Sequence, residues 1–375
     1  MRKLAAVAAL FAIWFLAWFF FAPDPQPDRQ PAVAPQEAPE SAPQQQRDDA
    51  PPDAAADPPG APTSDEPPSL VWPVDCSLGS DCWIARYVDR GPGGAVTDYA
   101  CGARTENEHR GTDITLADLP QMRLGVAVLA AASGTVAGRR DGMADNATAS
   151  AEQRDQLNGR ECGNGVVVRH GNGWETQYCH MAQGSIKHQQ GDTVTAGEEL
   201  GRVGLSGLTE YPHLHIVLRY RPSEGQARII DPFDGGTYEQ GCVGPGDEAG
   251  YWQEPVPYQT VALLPPRLVP EKLTRKTMWQ GQASTLRSDS PALLIQARVF
   301  HTRKGDVMRY TLVAPDGRAR LRRDLTLDRG YQVARPFVGV RRPNGGFAAG
   351  TWRGTVELVR DGVSVSAASI ETRIE

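Results

Sequence analysis

The sequence predicts a mostly β protein with two antiparallel-sheet domains, the second sandwich-like, preceded by one transmembrane helix and a disordered linker. Three observations lead to this fold class. Short strand-like runs alternate with glycine turns through residues 71–250, and a similar pattern resumes in residues 256–375. Neither region contains a long apolar stretch with the helical period of 3.6. An uncharged apolar run and then a proline-rich segment precede both regions.

The N-terminal segment, residues 1–22, predicts a transmembrane signal-anchor. Arg2 and Lys3 precede nineteen uncharged residues, and such a run spans roughly the 30 Å of bilayer hydrocarbon. It ends in bulky aromatics, residues 18–21, rather than in the small residues of a cleavage site. An uncleaved anchor is therefore favoured over the alternative, a cleaved signal peptide. The basic end is expected to stay in the cytoplasm, so that the rest of the chain is exported.

Residues 23–70 predict a disordered spacer. They contain fourteen prolines, and they carry ten acidic and two basic side chains. A segment of this composition cannot bury enough apolar surface to offset the entropy lost on ordering. We expect it to give the tethered domains reach beyond the membrane.

The six cysteines fit an exported protein. An even number predicts three disulfides, for which fifteen pairings exist. Cys162 and Cys179 flank a predicted hairpin, which makes them one candidate pair. No CxxC motif occurs, so a thiolate zinc site is not expected.

The first domain, residues 71–250, contains six of the seven histidines. Its most distinct element is a hairpin with the turn Gly171-Asn172-Gly173. Residues 139–161 are polar and irregular, and we interpret them as an insertion between two strands. The strand-like runs of this domain are Val126–Leu129, Gly165–Val168, Gly191–Val194 and His215–Leu218.

The second domain, residues 256–375, begins with a proline-rich stretch, residues 256–266, that we interpret as a linker. The strand patterns beyond it are separated by turns such as Pro315-Asp316-Gly317, which favours a small β-sandwich. The domain carries twenty basic and ten acidic side chains, a net charge of +10. No dinucleotide-binding, P-loop, helix-turn-helix or zinc-finger pattern occurs in the chain.

Two histidines open the strand-like run Pro212-His213-Leu214-His215-Ile216. Side chains two positions apart on a strand share a face, so His213 and His215 are expected on one face and Leu214 on the apolar one. A wet sheet face would also accept histidines, so this pair alone does not establish a site.

His109 and Asp113 form a second pair, in the pattern HxxxD. Imidazole nitrogen and carboxylate oxygen are both good zinc ligands, and a catalytic zinc site needs three protein ligands and one open position. Gly111 lies between the two residues and favours a bend that lets their side chains converge. HxxxD by itself is a weak pattern, because chance matches are common.

His180 follows Tyr178 at spacing two in Gln177-Tyr178-Cys179-His180. The two side chains are therefore expected on the same face of their strand. The hairpin is expected to carry His180 toward the other histidines. A surface position is the alternative for this residue alone.

The order HxxxD, YxH and HLH resembles the LytM/lysostaphin-type (M23) zinc metallopeptidases. Residues 125–136 resemble the strand that precedes the insertion in that family, and residues 191–204 resemble its glycine-punctuated stretch before HxH. The resemblance covers roughly residues 100–235. The family often continues HLH with Phe-Glu, whereas Ile216 and Val217 follow here.

The resemblance implies an antiparallel M23-type peptidase domain in which His109, Asp113 and His215 bind one Zn²⁺ per chain. It implies that His180 and His213 are the catalytic histidines, without dividing the roles between them. All five positions are filled, which argues against a degenerate member. With the predicted anchor, the resemblance implies a single-pass protein of the bacterial inner membrane that cuts the stem-peptide cross-links of peptidoglycan in the periplasm.

The same residues allow other functions and also predict binding partners. A non-catalytic scaffold that activates another wall hydrolase is the main alternative, and a zinc sensor is a weaker one. The basic residues 256–375 predict binding to an anionic wall or membrane surface, against the alternative of a solvated spacer domain. No nucleic acid is expected as a partner of an exported chain.

Overall fold

The computed structural model describes residues 66–147, 151–244, 250–281 and 286–375. The predicted transmembrane segment, residues 1–22, lies outside the described residues, and so does most of the predicted spacer, residues 23–65. In the described residues no helix has both the length and the apolar character needed to cross a membrane.

The regular elements in the first half of the described chain are mostly strands, as predicted. This half also contains two short helices, α1 at Leu119–Leu124 and α2 at Ala151–Leu157, and a 3-10 turn at Pro92–Gly94. The strands are β1 Cys82–Arg86, β2 Thr112–Leu116, β3 Ala127–Leu129, β4 Gly134–Arg140, β5 Asn164–Gly171, β6 Trp174–Met181, β7 Thr193–Val194, β8 Glu199–Arg202, β9 His213–Tyr220 and β10 Arg228–Ile230.

One antiparallel sheet dominates this half and runs in the order β1-β2-β9-β6-β5-β4-β7, with β10 beside β9. The apolar residues of β9, among them Leu214 and Ile216, are buried on one face in the core of the domain. The chain alternates along the strand, so the opposite face carries His213 and His215. This confirms the expected division of β9 into an apolar and a histidine-bearing face.

The second half forms two further antiparallel sheets. One has the order β11-β12-β15 with β16 also beside β12, and the other has the order β14-β13-β17-β18. Apolar side chains from both sheets share one core, which confirms the predicted sandwich. Its strands in the described residues are β11 Ala262–Val269, β12 Ala292–Thr302, β13 Val307–Val313, β14 Ala319–Thr326, β15 Tyr331–Ala334, β16 Phe337–Arg341, β17 Gly350–Arg360 and β18 Val363–Ile374.

The sheet that contains β11 and β12 is covered on both faces. Leu293 and Ile295 point into the sandwich core. Phe300 and Leu264 belong instead to a cluster with Trp83 of β1. The sandwich and the first domain therefore share an apolar interface.

The interpretation of residues 256–266 as a linker is wrong. Residues 262–266 begin strand β11. The residues before it pack on the first domain, where the Tyr258 hydroxyl donates to Asp98 at 2.7 Å and the Gln259 amide donates to the Tyr87 hydroxyl at 3.0 Å. Pro265 and Pro266 suggested a linker, but an edge strand tolerates proline because one of its sides makes no ladder hydrogen bonds.

Two other boundaries differ from expectation. Leu70, assigned to the spacer, is buried in the core of the first domain and bridges to Trp252. The insertion at 139–161 is not wholly irregular, since it contains helix α2. Its first part is fixed by Asp145, which accepts hydrogen bonds from the amides of Gln183 at 3.0 Å and Leu205 at 2.8 Å.

All six cysteines are in disulfides, as predicted. The expected hairpin pair forms, since Cys162 bonds to Cys179, while Cys76 bonds to Cys82 and Cys101 to Cys242. The pair of Cys162 and Cys179 closes the hairpin of β5 and β6 at the end that carries His180.

Candidate metal centre and catalytic histidines

Strands β2 and β9 bring the two predicted ligand pairs together. The strands are antiparallel neighbours, and Asp113 lies directly opposite His215, so their side chains are on the same face. His109 precedes β2 by a short bend. The ligand atoms of His109, Asp113 and His215 all lie within 4.8 Å of one another.

One carboxylate oxygen is the centre of this group. Asp113 Oδ1 lies 3.0 Å from His109 Nε2 and 2.8 Å from His215 Nδ1. The other oxygen, Oδ2, accepts a hydrogen bond from Arg86 at 3.2 Å and lies 3.5 Å from the Tyr211 hydroxyl. Arg86 also forms an ion pair with Glu106 at 3.0 Å. Asp113 is thus oriented from behind while Oδ1 faces the imidazoles.

The donor set fits a metal cation. His109 Nδ1 lies 2.8 Å from the carbonyl oxygen of Tyr87, which can only accept, so this nitrogen carries the proton. When His109 is neutral, its Nε2 then presents a lone pair toward Asp113 Oδ1. Two such acceptors 3.0 Å apart favour a cation between them. Two imidazole nitrogens and one carboxylate oxygen match the three protein ligands of a catalytic zinc site.

The electrostatics of the group are those of a buried ion cluster. Burial alone would raise the pKa of Asp113, but the facing imidazoles of His109 and His213 outweigh it and hold that pKa well below its usual value. Burial lowers the pKa of His215 despite its contact with Asp113. Asp113 is therefore a carboxylate and His215 a neutral imidazole at neutral pH, which are the forms that bind a metal.

Gly111 permits this convergence. A Cβ atom at this position would lie 2.5 Å from the carbonyl oxygen of Ile216 and 2.7 Å from His215 Nε2. The backbone before β2 therefore approaches β9 more closely than any side chain would allow. The glycine that suggested a bend in the sequence is required by close contact.

His213 lies beside the three ligands. Its Nδ1 lies 2.9 Å from the carbonyl oxygen of Tyr211, which fixes the proton on that nitrogen. Its Nε2 lies 3.4 Å from Asp113 Oδ1. The ring is buried, and it packs against the Tyr211 ring with 4.7 Å between centroids. His213 therefore turns its Nε2 toward the ligand cluster.

His180 joins the group from β6, but not by the route that the sequence suggested. Tyr178 is buried in the core of the first domain. The His180 ring instead lies 4.6 Å from that of His213 and 5.9 Å from that of His215, between centroids. The expectation that Tyr178 and His180 share a face is wrong.

The cause is local backbone geometry. His180 has a φ of +63°, in the left-handed region, and the register between β5 and β6 shifts by one residue at this end. A bulge of this kind breaks the alternation of side chains and re-aims one of them. The amide of His180 is held by the carbonyl oxygen of Cys162 at 2.8 Å, next to the disulfide.

Both histidines donate from Nδ1 to a backbone carbonyl. The acceptor of His180 Nδ1 is the carbonyl oxygen of Ser206, 2.8 Å away. Burial, and then the neighbouring His213 and His215, hold the pKa of His180 well below its usual value. The low pKa keeps His180 neutral, so its Nε2 is able to accept a proton. Two imidazoles in contact beside a three-ligand cluster are able to accept and return protons.

Several residues of the site were missed by sequence reasoning. Arg86, Tyr87 and Ser206 carry no local signal, because each acts through a contact between distant segments. Tyr211 could have been found from the sequence, because it lies two positions before His213 and its side chain is therefore on the same side of the chain.

A family comparison is consistent with this geometry. The model of peptidase family M23 matches residues 107–232. These residues form an M23 peptidase domain. The matched range contains all five site residues, and it covers β2 to β10 but neither β1 nor the sandwich.

Individual relatives match short parts of the M23 domain. The cell division protein DipM of Caulobacter vibrioides is 41% identical over 71 residues, which are 19% of this chain and 11% of DipM. The peptidoglycan DD-endopeptidase ShyA of Vibrio cholerae is 39% identical over 62 residues, 16% of this chain and 14% of ShyA. The chain thus spans only about an eighth of the length of these curated relatives.

Among solved structures, the catalytic domain of lysostaphin from Staphylococcus simulans aligns at 20% identity over 39% of this chain and 85% of that one, with a TM-score of 0.25. A TM-score this low supports no argument about function.

Proposed function

We propose that this chain is a zinc-dependent endopeptidase that hydrolyses peptide cross-links of peptidoglycan. The observation that carries the proposal is that His109, Asp113 and His215 lie together with two further imidazoles, those of His180 and His213. Nδ1 of each of these two donates to a backbone carbonyl, so Nε2 is the nitrogen that is not bonded to the backbone. Such a set has no evident structural purpose, since it concentrates buried polar groups around one carboxylate.

The residues that would hold the metal are His109 through Nε2, Asp113 through Oδ1 and His215 through Nδ1. A zinc ion bound there supplies Lewis-acid activation of a water molecule and of the scissile carbonyl. Arg86 and the Tyr87 carbonyl orient two of these ligands from behind, as the outer partners of metal ligands commonly do.

The two remaining imidazoles supply the proton transfers. Hydrolysis forms a C–O bond from water, breaks the amide C–N bond and delivers one proton to the leaving nitrogen. A free Nε2 on His180 or His213 accepts the proton from water, and an imidazolium then donates it to the amine. While protonated, the imidazolium also stabilises the negative charge that develops on the carbonyl oxygen.

The choice of substrate rests on the M23 domain and on the predicted export of the chain. The name of ShyA describes an enzyme that cuts peptidoglycan. We propose that residues 1–22 tether this chain to the bacterial inner membrane and that its domains act on the wall from there. Three disulfides support an oxidising compartment outside the cytoplasm.

Digestion of purified sacculi by the detergent-solubilised full chain tests the proposal. We expect uncross-linked muropeptides in the mass spectrum, which disappear with a chelator and return when zinc is added. His188→Ala is a matched control, because this histidine lies outside the site against Glu198 and Glu199 and its loss should leave cleavage intact.

One outcome would favour the alternative of a non-catalytic activator: one equivalent of zinc bound by the wild-type chain, with no new muropeptide at any enzyme concentration. Failure to bind zinc at all would contradict the zinc enzyme and would also favour the activator, which needs no metal.

Binding of an anionic surface by residues 256–375 stays a prediction. Three of the basic residues do not contribute to the surface, because Arg267, Arg298 and Arg360 are buried. The predicted binding therefore depends on exposed arginines such as Arg322. Binding to sacculi that weakens with added salt would support it, and binding that is independent of salt would contradict it.

A further inference from the structure

An aromatic stack runs from the sandwich into the candidate site. Trp279 belongs to the segment between β11 and β12, outside the M23 domain. Its ring is stacked on that of Tyr211, with 5.2 Å between centroids and 29° between planes. Tyr211 in turn packs on His213 at 4.7 Å and 33°. Both Trp279 and Tyr211 are buried.

Tyr211 contacts the site at two points. Its carbonyl oxygen accepts from His213 Nδ1 at 2.9 Å and so sets the orientation of that imidazole. Its hydroxyl accepts from Arg86 at 3.0 Å and lies 3.5 Å from Asp113 Oδ2. A shift of Tyr211 would therefore move a proton-transfer group and disturb a metal ligand together.

Trp279 is itself firmly held. Its carbonyl oxygen accepts a hydrogen bond from the amide of Leu119 at 2.8 Å, and the guanidinium of Arg298 lies 5.3 Å from the centre of its ring. Phe300 of β12 lies 5.4 Å from the Tyr211 ring and 6.2 Å from the Trp279 ring, between centroids.

The aromatic stack packs against the sheet of β11 and β12, which is covered on both faces. One of its faces is fixed by the sandwich core, and the other presents Phe300 and Leu264 toward the M23 domain. Close-packed interiors transmit displacement, because they contain few voids that could absorb it. The sandwich therefore bears directly on Tyr211.

We propose that Trp279 is a positioning residue: by packing on Tyr211 it fixes His213 and Asp113, so that the sandwich is part of the catalytic unit rather than an appended module. This inference rests on the proposed function for its kinetic consequence, but not for its effect on the metal site. Loss of the Trp279 ring would leave a cavity into which Tyr211 relaxes. Small misplacements of reacting groups lower the rate strongly.

The test compares Trp279→Ala with the conservative Trp279→Phe in the full chain. The matched control is Trp352→Ala, which removes an equally buried tryptophan from the sandwich core, where its partner is Phe347. Three quantities are measured at a temperature where each variant is folded: the visible absorption spectrum with Co²⁺ in place of zinc, the Kd for Zn²⁺, and kcat and KM on cross-linked muropeptides.

We expect Trp279→Ala to change the Co²⁺ spectrum and to lower kcat by about tenfold or more, with KM within about twofold, because the tryptophan is not in the site itself. Trp279→Phe should restore most of kcat. Trp352→Ala should lower the unfolding temperature but leave the spectrum and kcat unchanged. If Trp279→Ala does not fold, Trp279→Leu replaces it, with the same expectation.

A wild-type Co²⁺ spectrum and a wild-type kcat in Trp279→Ala would overturn the inference. Equal changes of the spectrum and of kcat in Trp352→Ala would also overturn it, because they would indicate general destabilisation. A wild-type chain that cleaves no muropeptide would contradict the proposed function alone. In that case the Co²⁺ spectrum and the Kd for Zn²⁺ still decide whether Trp279 positions the metal site.

Discussion

One side of the candidate site is built within the M23 domain, and the other side is built from segments outside it. The inner side consists of the five polar residues on or beside β2, β6 and β9 and of the carbonyl oxygens that orient their rings. The outer side consists of Arg86 and the Tyr87 carbonyl at the end of β1, together with Trp279 and Phe300 from the sandwich.

The two sides differ in what they contribute. The inner residues provide ligands and proton carriers, whereas the outer residues contact those groups only from behind. Asp89 illustrates this second role, since its carboxylate accepts from the amide of Glu108 at 3.0 Å and thereby fixes the residue before His109. Substitutions on the inner side should abolish the function, and those on the outer side should weaken it in measurable steps.

The largest effect is expected for Asp113→Asn. The amide has no charge to offer a cation, and it leaves Arg86 without its buried partner. The Kd for Zn²⁺, measured by competition with a chelating dye, should rise by more than about 100-fold. Asp316→Asn, in an exposed turn where Asp316 pairs with Arg320, is the control. If Asp113→Asn binds zinc with wild-type affinity, Asp113 is not a ligand of the metal.

Gly111→Ala should have the next largest effect, although it changes no polar group. The added methyl would meet the His215 ring and the backbone of β9, so one strand must shift. We expect a loss of about 1–3 kcal/mol in the free energy of unfolding, measured by denaturant titration, together with weaker zinc binding. If the stability and zinc affinity of Gly111→Ala both match those of the wild type, the backbone at Gly111 does not approach β9 as closely as described.

Arg86→Met tests the outer side directly. The substitution keeps an apolar stem but removes the hydrogen bond to Asp113 Oδ2. Zinc affinity should fall by about 10- to 100-fold, less than for Asp113→Asn. Arg353→Met is the matched control, since its exposed ion pair with Glu371 should contribute less than about 1 kcal/mol to stability. Equal effects of Arg86→Met and Asp113→Asn would erase the distinction between the two sides.

The last effect concerns the junction of the two domains, away from the site, and appears only at acidic pH. His301 of β12 donates from Nε2 to the carbonyl oxygen of Ala85 on β1, 2.5 Å away. Burial, and then the charge of Arg104, lower the pKa of His301 to about 3. The unfolded chain takes up this proton near pH 6.5. Between these two pH values the unfolded state binds more protons, so stability falls as the pH falls.

We therefore expect His301→Gln to flatten the dependence of stability on pH. The wild type should lose up to about 1.4 kcal/mol per pH unit more than the variant between pH 6.5 and the pKa of the folded protein. Denaturant titrations of both proteins at pH 7, 6, 5 and 4 provide the measurement. Parallel curves would show that His301 is not held neutral at the junction.

Much of the inner side could be predicted from the sequence, because it depends on local patterns. The spacing of His213 and His215 predicts their shared face through the period of a strand. The turn Gly171-Asn172-Gly173 predicts the hairpin and with it the pairing of Cys162 and Cys179. The convergence of HxxxD with HLH required the family resemblance, since no local rule places β2 beside β9.

The errors arose where long-range contacts or an unusual backbone decide the structure. The left-handed φ of His180 turns its ring away from the face of Tyr178. The two-residue period of a strand assumes a regular backbone, so it cannot predict this turn. Residues 262–266 form a strand because β11 is covered on both faces, whereas their prolines suggested a linker. The contact between Tyr211 and Trp279 joins residues far apart in the sequence and leaves no periodic signal.

In the proposed site, three residues hold zinc while two separate histidines move protons. This division is tested most directly by measuring zinc content and cleavage of sacculi in the same preparations of His180→Ala and His109→Ala. We expect His180→Ala to keep one equivalent of zinc and to lose cleavage by a factor of about 100 to 10,000, and His109→Ala to lose both zinc and cleavage. Loss of zinc from His180→Ala, or full cleavage by it, would contradict this division of roles.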